Sequence, residues 1–176
     1  MAKWIQHSAR LLRHRWAEGA LRRTASPALL EQLTQAIATS EQHHSGQVRF
    51  CIEAGLPASY IWRAASTRER ALAMFSKLRV WDTEHNNGVL IYLLLAEHSI
   101  EIVADRGLAR QVPQPAWDAL AKQLGAALRS GHTADGLLQA LADVSALLER
   151  HFPRDLTRAE QPQRNELPDA PFIVSR

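Results

Sequence analysis

The sequence contains a single cysteine, Cys51, among 176 residues, so an intrachain disulfide is excluded. No apolar run reaches the roughly 18 residues of a membrane-spanning helix, and charges interrupt every early apolar stretch, which argues against a signal peptide. Also absent are a Gly-rich phosphate loop, paired cysteines, a His-Glu-x-x-His zinc motif and a Gly-x-Ser-x-Gly elbow. We therefore expect a cytoplasmic protein without the commonest catalytic signatures.

Outside the N-terminus, basic and acidic residues nearly balance, so the net charge is small. Residues 1–24 carry a net charge of +5, whereas the remaining residues carry −2. Residues 3–23 combine basic side chains with apolar ones in a roughly helical pattern; the apolar members are Trp4, Ile5, Leu11, Leu12, Trp16 and Leu21. Two interpretations stay open: a helix packed on the body, or weak peripheral contact with a membrane surface. Nucleic-acid binding is not expected, because no recognisable binding fold surrounds the arginines.

The chain is organised around residues 80–107. Residues 89–95 form a continuous apolar run, which is typical of a strand buried on both faces of a sheet. A polar loop follows, and residues 100–104 predict a return strand. Residues 47–54 predict an earlier strand, separated from the first by a helix, which normally gives a right-handed parallel unit. We therefore expect the 89–95 strand to be central, antiparallel to 100–104 and parallel to 47–54.

Helices are predicted on both faces of this sheet. Ser26-Pro27 is a strong helix start, and Ser66 with Glu69 forms a capping box in which each satisfies a backbone donor of the other. The second of these helices is expected to end near residue 79 and to bury Leu72, Phe75 and Leu78.

A hairpin places the loop before its first strand beside the end of its second strand. The polar side chains brought to this corner are Asp82, Glu84, Asn86, Asn87 and Asp105. Carboxylate and amide oxygens are the ligands that Ca²⁺ and Mg²⁺ prefer, so these five are candidate metal ligands. The alternative is that Asn86-Asn87-Gly88 is simply a turn and that Asp82 holds the loop by backbone hydrogen bonds.

Further polar residues precede the first predicted strand or lie in the corner loop. Additional candidate metal ligands are Glu41, His43, His44 and His85, although His43 and His44 also suit a solvated helix end. Arg106 is a candidate contact for a phosphate or another anion, or else a partner of Asp82 or Glu84.

The stretch Leu78-Arg-Val-Trp-Asp-Thr-Glu-His-Asn-Asn-Gly-Val-Leu-Ile-Tyr, with Val103-Ala-Asp-Arg-Gly-Leu, resembles the TPM domain family. The resemblance covers residues 27–152. Within the family, the sequence is similar to a soluble bacterial branch. It implies an α/β/α sandwich, a mixed central sheet with helices on both faces, here with an extra N-terminal helix. The expected organisation is a basic helical segment at 1–25, a TPM-like domain at 26–153 and an extended tail at 154–176.

Members of that family are acid phosphatases in some plants, divalent-cation binders, or accessory proteins of membrane complexes. The resemblance therefore implies a non-catalytic regulatory or accessory module that binds Ca²⁺ or Mg²⁺ at the corner, with a protein or membrane complex as partner. Two alternatives stay open: a metal-assisted phosphomonoester hydrolase using the same corner, and a membrane-peripheral scaffold. No residue of this sequence can be assigned as the catalytic nucleophile, so enzyme activity rests on the resemblance alone.

Overall fold

The computed structural model describes residues 10, 14, 17–154 and 165–175. Its strands are β1 (Gln47–Glu53), β2 (Gly88–Leu94), β3 (Ser99–Ala104) and β4 (Phe172–Val174). They form one mixed sheet in the order β3-β2-β1-β4. β2 is parallel to β1 and antiparallel to β3, and β4 is parallel to β1. The predicted central strand, its hairpin partner and its parallel neighbour are thus confirmed.

The position of β2 explains its continuous apolar sequence. All seven of its residues are buried, because helices cover the sheet on both sides. Val89, Ile91 and Leu93 point into one core, and Leu90 and Tyr92 point into the other. A strand between two cores needs apolar side chains at every position, whereas one with a solvated face needs them at alternate positions.

The helices separate into two layers. They are α1 (described over residues 17–24), α2 (Pro27–Ser40), α3 (Ala58–Trp62), α4 (Thr67–Lys77), α5 (Arg106–Ala109), α6 (Gln114–Arg129) and α7 (Thr133–His151). One core lies under α1, α2, α5, α6 and α7, and the smaller core lies under α3 and α4. This arrangement is the α/β/α sandwich that the sequence predicts.

The capping predictions hold in part. Ser26 Oγ accepts the Leu29 amide at 3.3 Å, and Ser66 Oγ accepts the Glu69 amide at 3.1 Å. The Glu69 carboxylate, however, pairs with Arg63. The bond from the Glu69 amide to Ser66 is therefore present, whereas the predicted return bond from the Ser66 amide to the Glu69 carboxylate is replaced by this ion pair.

The buried face of α4 differs from the predicted one. Its buried residues are Thr67, Ala71 and Met74, whereas Leu72 is 48% exposed and Phe75 is only partly buried. Positions four and three residues apart share one helix face, and the face with the smaller side chains lies on the sheet here. The predicted burial of Leu72 is therefore wrong.

The N-terminal segment packs on the body at the residues that are described. Ala17 and Leu21 are buried, and Arg10 Nε lies 2.6 Å from Glu97 Oε1. His14 is fully buried; its Nδ1 accepts the Leu56 amide at 2.9 Å, so its Nε2 carries the proton directed at Glu97. The remaining apolar positions of the predicted N-terminal helix, Trp4, Ile5, Leu11, Leu12 and Trp16, lie outside the described residues. Within the described part of the chain, no helix combines the length and apolarity that crossing a bilayer requires.

Candidate functional site

The polar corner forms where the β2–β3 hairpin ends. The Asp105 amide donates to Gly88 O at 2.8 Å, and the Gly107 amide donates to Asn86 O at 2.8 Å. These two bonds continue the antiparallel pairing beyond the strands and hold the 82–88 loop against the start of α5. The juxtaposition of this loop with Asp105 and the following residues therefore follows from hairpin geometry, as the sequence predicts.

Thr83 organises the inside of the loop, a role that the sequence analysis missed. Its backbone oxygen accepts the Asn86 amide at 3.2 Å, and its buried side chain accepts the Asn87 amide at 3.1 Å. Asn86 has a φ of +51°, the left-handed region that asparagine tolerates better than most residues. The turn interpretation of Asn86-Asn87-Gly88 is thus correct for the backbone, and the side chains are possible ligands.

Two side-chain oxygens at the corner are buried and have no hydrogen-bond partner among the described residues. One is Oδ1 of Asn87, a fully buried residue whose Nδ2 donates to Ser45 Oγ at 3.3 Å. The other is Oδ2 of Asp105, which is 8% exposed and whose Oδ1 accepts the Arg106 amide at 2.7 Å. Burying an acceptor without a partner is unfavourable, and such groups are rare in folded proteins. These atoms are therefore the strongest ligand candidates at the corner.

Asp82 and Glu84 make other contacts. The Asp82 side chain is 51% exposed and lies 3.4 Å from Arg79 Nη2. Glu84 is exposed, and its backbone amide donates to Glu166 Oε2 at 2.9 Å. Among the residues that the structure describes, no three His, Cys, Asp or Glu side chains gather as they would around a metal ion. The five-residue metal site stays a prediction. Because Asp82 and Glu84 are exposed, we expect them to contribute little to holding an ion.

Arg106 has a partner that neither sequence interpretation named. Its Nε donates to Asn86 Oδ1 at 2.7 Å, so it links the start of α5 to the corner loop. The side chain is exposed. An exposed guanidinium with one such bond is placed to meet an anion approaching the corner, and this role stays a prediction.

Two of the additional candidates, Glu41 and His44, make structural contacts. Glu41 Oε1 accepts the Val48 amide at 2.9 Å. His44 is fully buried; its Nδ1 lies 3.0 Å from Gly46 O and its Nε2 lies 2.9 Å from Ser40 Oγ. Burial lowers the pKa of His44, which favours the neutral ring. The two others, His43 and His85, are exposed.

A polar cavity of about 340 Å³ adjoins Glu41 and is lined also by Gln47, Arg154, Asn165 and Asp169. Burial raises the pKa of Glu41 to about 8, against the opposing effect of its hydrogen bond from the Val48 amide, and the charge of Asp169 raises it further. The Glu41 carboxyl thus holds a proton near neutral pH in the folded chain.

The free energy of unfolding is expected to fall as the pH rises from about 5 to about 8. Glu41 has a pKa of about 8 when folded and the ordinary 4.5 when unfolded, so the folded chain binds more protons in this window. Glu41→Gln should flatten the decline, measured by urea denaturation at pH 5, 6.5 and 8. Glu31→Gln changes an exposed acid of α2, the helix that ends just before Glu41, and should leave the decline in place. Identical slopes in wild type and Glu41→Gln would contradict the assignment.

A mixed four-stranded sheet between two helical layers, with a polar loop held against the end of its central hairpin, defines an α/β/α sandwich with its candidate site at one end of the sheet. The chain belongs to the TPM domain family, whose family model matches residues 23–147.

A solved structure supports the same fold. The chain is similar to the BA42 protein of the psychrophilic bacterium Bizionia argentinensis sp. nov., determined by NMR, with a TM-score of 0.71. The two sequences are 22% identical, and the match covers 85% of this chain and 94% of that one. Among curated proteins, none matches this sequence.

Proposed function

We propose that this protein is a non-catalytic accessory module of the TPM domain family that binds a hard divalent cation, Ca²⁺ or Mg²⁺, at the hairpin corner. Asp105 and Asn87 would hold the ion through Oδ2 and Oδ1, respectively. The observation that carries the proposal is that both oxygens are buried at the corner without a hydrogen-bond partner among the described residues.

The chemistry of the two oxygens suits such an ion. One carboxylate and one amide oxygen are hard ligands, and Mg²⁺ in particular is commonly held by one or two carboxylates while it retains several waters. A cation would supply the positive charge that neither oxygen receives from a donor in the described part of the chain. The remaining positions would then be filled by water or by loop carbonyls.

The proposal separates Asp105 from Asp82, which the sequence alone treats as equivalent. Asp82 is half exposed and has Arg79 as a neighbour. Replacing Asp82 should therefore weaken the binding of a buried ion only slightly. Asp105 is buried and its Oδ2 has no hydrogen-bond partner in the ranges that the structure describes, so its charge is the one that a bound cation would neutralise.

Ca²⁺ or Mg²⁺ is expected to raise the melting temperature of the wild type, because a ligand that binds only the folded state stabilises it by mass action. At one hundred times the dissociation constant the gain is about 2.7 kcal/mol. Asp105→Asn keeps the shape of the side chain and should abolish the gain, whereas the matched control Asp82→Asn should retain most of it. Titration calorimetry with both ions measures the binding directly. A flat titration of the wild type, or equal losses in the two variants, would overturn the proposal.

Hydrolysis is the second candidate, and the exposed Arg106 beside the corner favours it. A cation there would supply activation of water and screening of phosphate charge, while Arg106 would contact the phosphate. Turnover of an aryl phosphate that needs the divalent ion and is lost in Arg106→Ala would establish the hydrolase. Ion binding without turnover would leave the accessory module.

A further inference from the structure

The C-terminal tail, residues 165–175, is bound along β1 in the way that a separate peptide would be. Gln47 Oε1 accepts the backbone amides of Glu166 and Leu167, each at 3.0 Å. Arg49 Nη1 donates to the backbone oxygens of two further tail residues, Pro168 and Ala170. Two side chains of one strand therefore bind four backbone groups of the tail.

The side chains of the tail fill the smaller core. Leu167 is 5% exposed and belongs to that core, and Phe172 and Val174 pack against it. The three residues of β4 continue the sheet beside β1, and the Ala54 amide donates to Val174 O at 3.1 Å. The contacts thus follow one order along the tail: a buried leucine, bonded backbone, then a short parallel strand.

Gln47 is fully buried and Arg49 is 7% exposed. A buried amide and a buried guanidinium are unfavourable without partners, and Arg49 Nε has none among the described residues. The tail backbone satisfies Gln47 Oε1 and Arg49 Nη1 whatever side chains it carries. Recognition through backbone atoms, together with one side-chain pocket and strand addition at a sheet edge, is a common mode of binding extended peptides.

The sequence of the tail suits this mode. Pro168 and Pro171 lack an amide hydrogen, so neither leaves a buried donor unsatisfied, and their fixed φ lowers the entropy lost when an extended segment is bound.

We propose that this surface, hereafter the tail groove, is a peptide-recognition site for an extended segment of a partner protein. The segment would place a leucine followed by proline over Gln47 and Arg49, and a three-residue apolar strand beside the end of β1. The chain's own tail occupies the tail groove in cis and competes with the partner. It also shows which chemistry the site accepts.

The probe is a fluorescein-labelled peptide with the sequence of residues 165–175, added to the full-length chain. Because a tethered segment has an effective concentration near the millimolar range, the wild type should bind the peptide weakly. Leu167→Asp in the full-length chain loosens its own tail by placing a charge in the smaller core. That variant should bind the wild-type peptide at least about tenfold more tightly in fluorescence anisotropy, which corresponds to a difference of about 1.4 kcal/mol.

Matched variants test the chemistry. In the Leu167→Asp background, Gln47→Ala and Arg49→Ala should each weaken binding about tenfold or more, since each leaves peptide backbone groups unpaired. A peptide carrying the same Leu-to-Asp change should not bind. Binding that ignores Gln47 and Arg49, or no binding by a Leu167→Asp chain that circular dichroism shows to be folded, would overturn the proposal.

A second measurement covers the case in which Leu167→Asp does not fold. Unlabelled peptide at several millimolar is added to ¹⁵N-labelled wild-type chain, and the amide signals of Leu167 and Val174 are followed by NMR. Displacement of the tail should move both signals toward the positions of the free peptide, whereas unchanged signals would overturn the proposal.

Discussion

Glu53→Ala is expected to lower the free energy of unfolding by about 3–5 kcal/mol, because it removes one partner of a buried ion pair. Glu53 lies at the end of β1 and is 1% exposed. Arg70 approaches it with two nitrogens, at 2.9 and 2.8 Å, and the Tyr92 hydroxyl donates to it at 2.6 Å. One carboxylate thus joins α4 to two adjacent strands.

The size of the effect comes from the groups left behind. Arg70 would keep its charge in a largely buried position, with the ring of Tyr60 5.0 Å away as a weak substitute. The hydroxyl of Tyr92 would lose its acceptor inside the smaller core. Burial raises the pKa of Tyr92, so it stays neutral and gives no compensating charge.

Urea denaturation of wild type and variant measures this loss. Glu69→Ala is the matched control, because the Arg63–Glu69 pair joins the same residue types with both side chains about half exposed. An exposed pair contributes little to stability, because solvent and salt screen its charges. A Glu53→Ala loss no larger than that of the control would show that the buried cluster does not stabilise the fold.

Gly107→Ala is expected to destabilise the corner by about 1–3 kcal/mol, the usual effect of overpacking a tight contact. A Cβ at this position would lie 2.5 Å from Asn86 O and 2.6 Å from His85 O. Both are backbone atoms of the corner loop, so the side chain cannot be accommodated by a rotamer change. The loop would have to move away from α5, and with it Asn87 from Asp105.

The same variant tests the proposed cation site. Stabilisation by Ca²⁺ or Mg²⁺ should be lost together with the loop position, as thermal unfolding with and without the ion would reveal. Gly19→Ala is the control: Gly19 is an exposed position of α1, and among the described residues an added Cβ would meet Arg23 Nη1 alone, at 3.8 Å. Alanine should stabilise that helix by about 0.5–1 kcal/mol. If Gly107→Ala is as stable as the wild type, the loop can move without loss of stability. The close contact between Gly107 and the loop then does not stabilise the corner.

The corner and the tail groove are in direct contact. Glu166 of the tail accepts the backbone amide of Glu84 in the corner loop, and the next tail residue contributes to the smaller core. A partner that displaces the tail would therefore also remove one bond from the corner loop.

The sequence by itself determined the framework of this protein. The apolar run of β2, the polar loop and the return strand specify a hairpin whose first strand is buried on both faces, because a strand between two helical layers has no solvated side. Once the hairpin is specified, the meeting of the 82–88 loop with Asp105 follows from antiparallel geometry. The helix starts at Ser26 and Ser66 were equally readable, because capping is a contact between residues close in sequence.

Only the tertiary structure decided which polar groups are buried and which of them have partners. Asp82 and Asp105 are the same residue type in the same corner, yet Asp82 is half exposed, whereas Asp105 is buried and its Oδ2 has no hydrogen-bond partner among the residues described. Leu72 is exposed although its helix has an apolar pattern, and the tail is joined to β1 across about 120 positions of sequence. Burial and pairing depend on residues that are distant in sequence. Hydrophobic periodicity reflects only the pattern of nearby residues, so it cannot predict them.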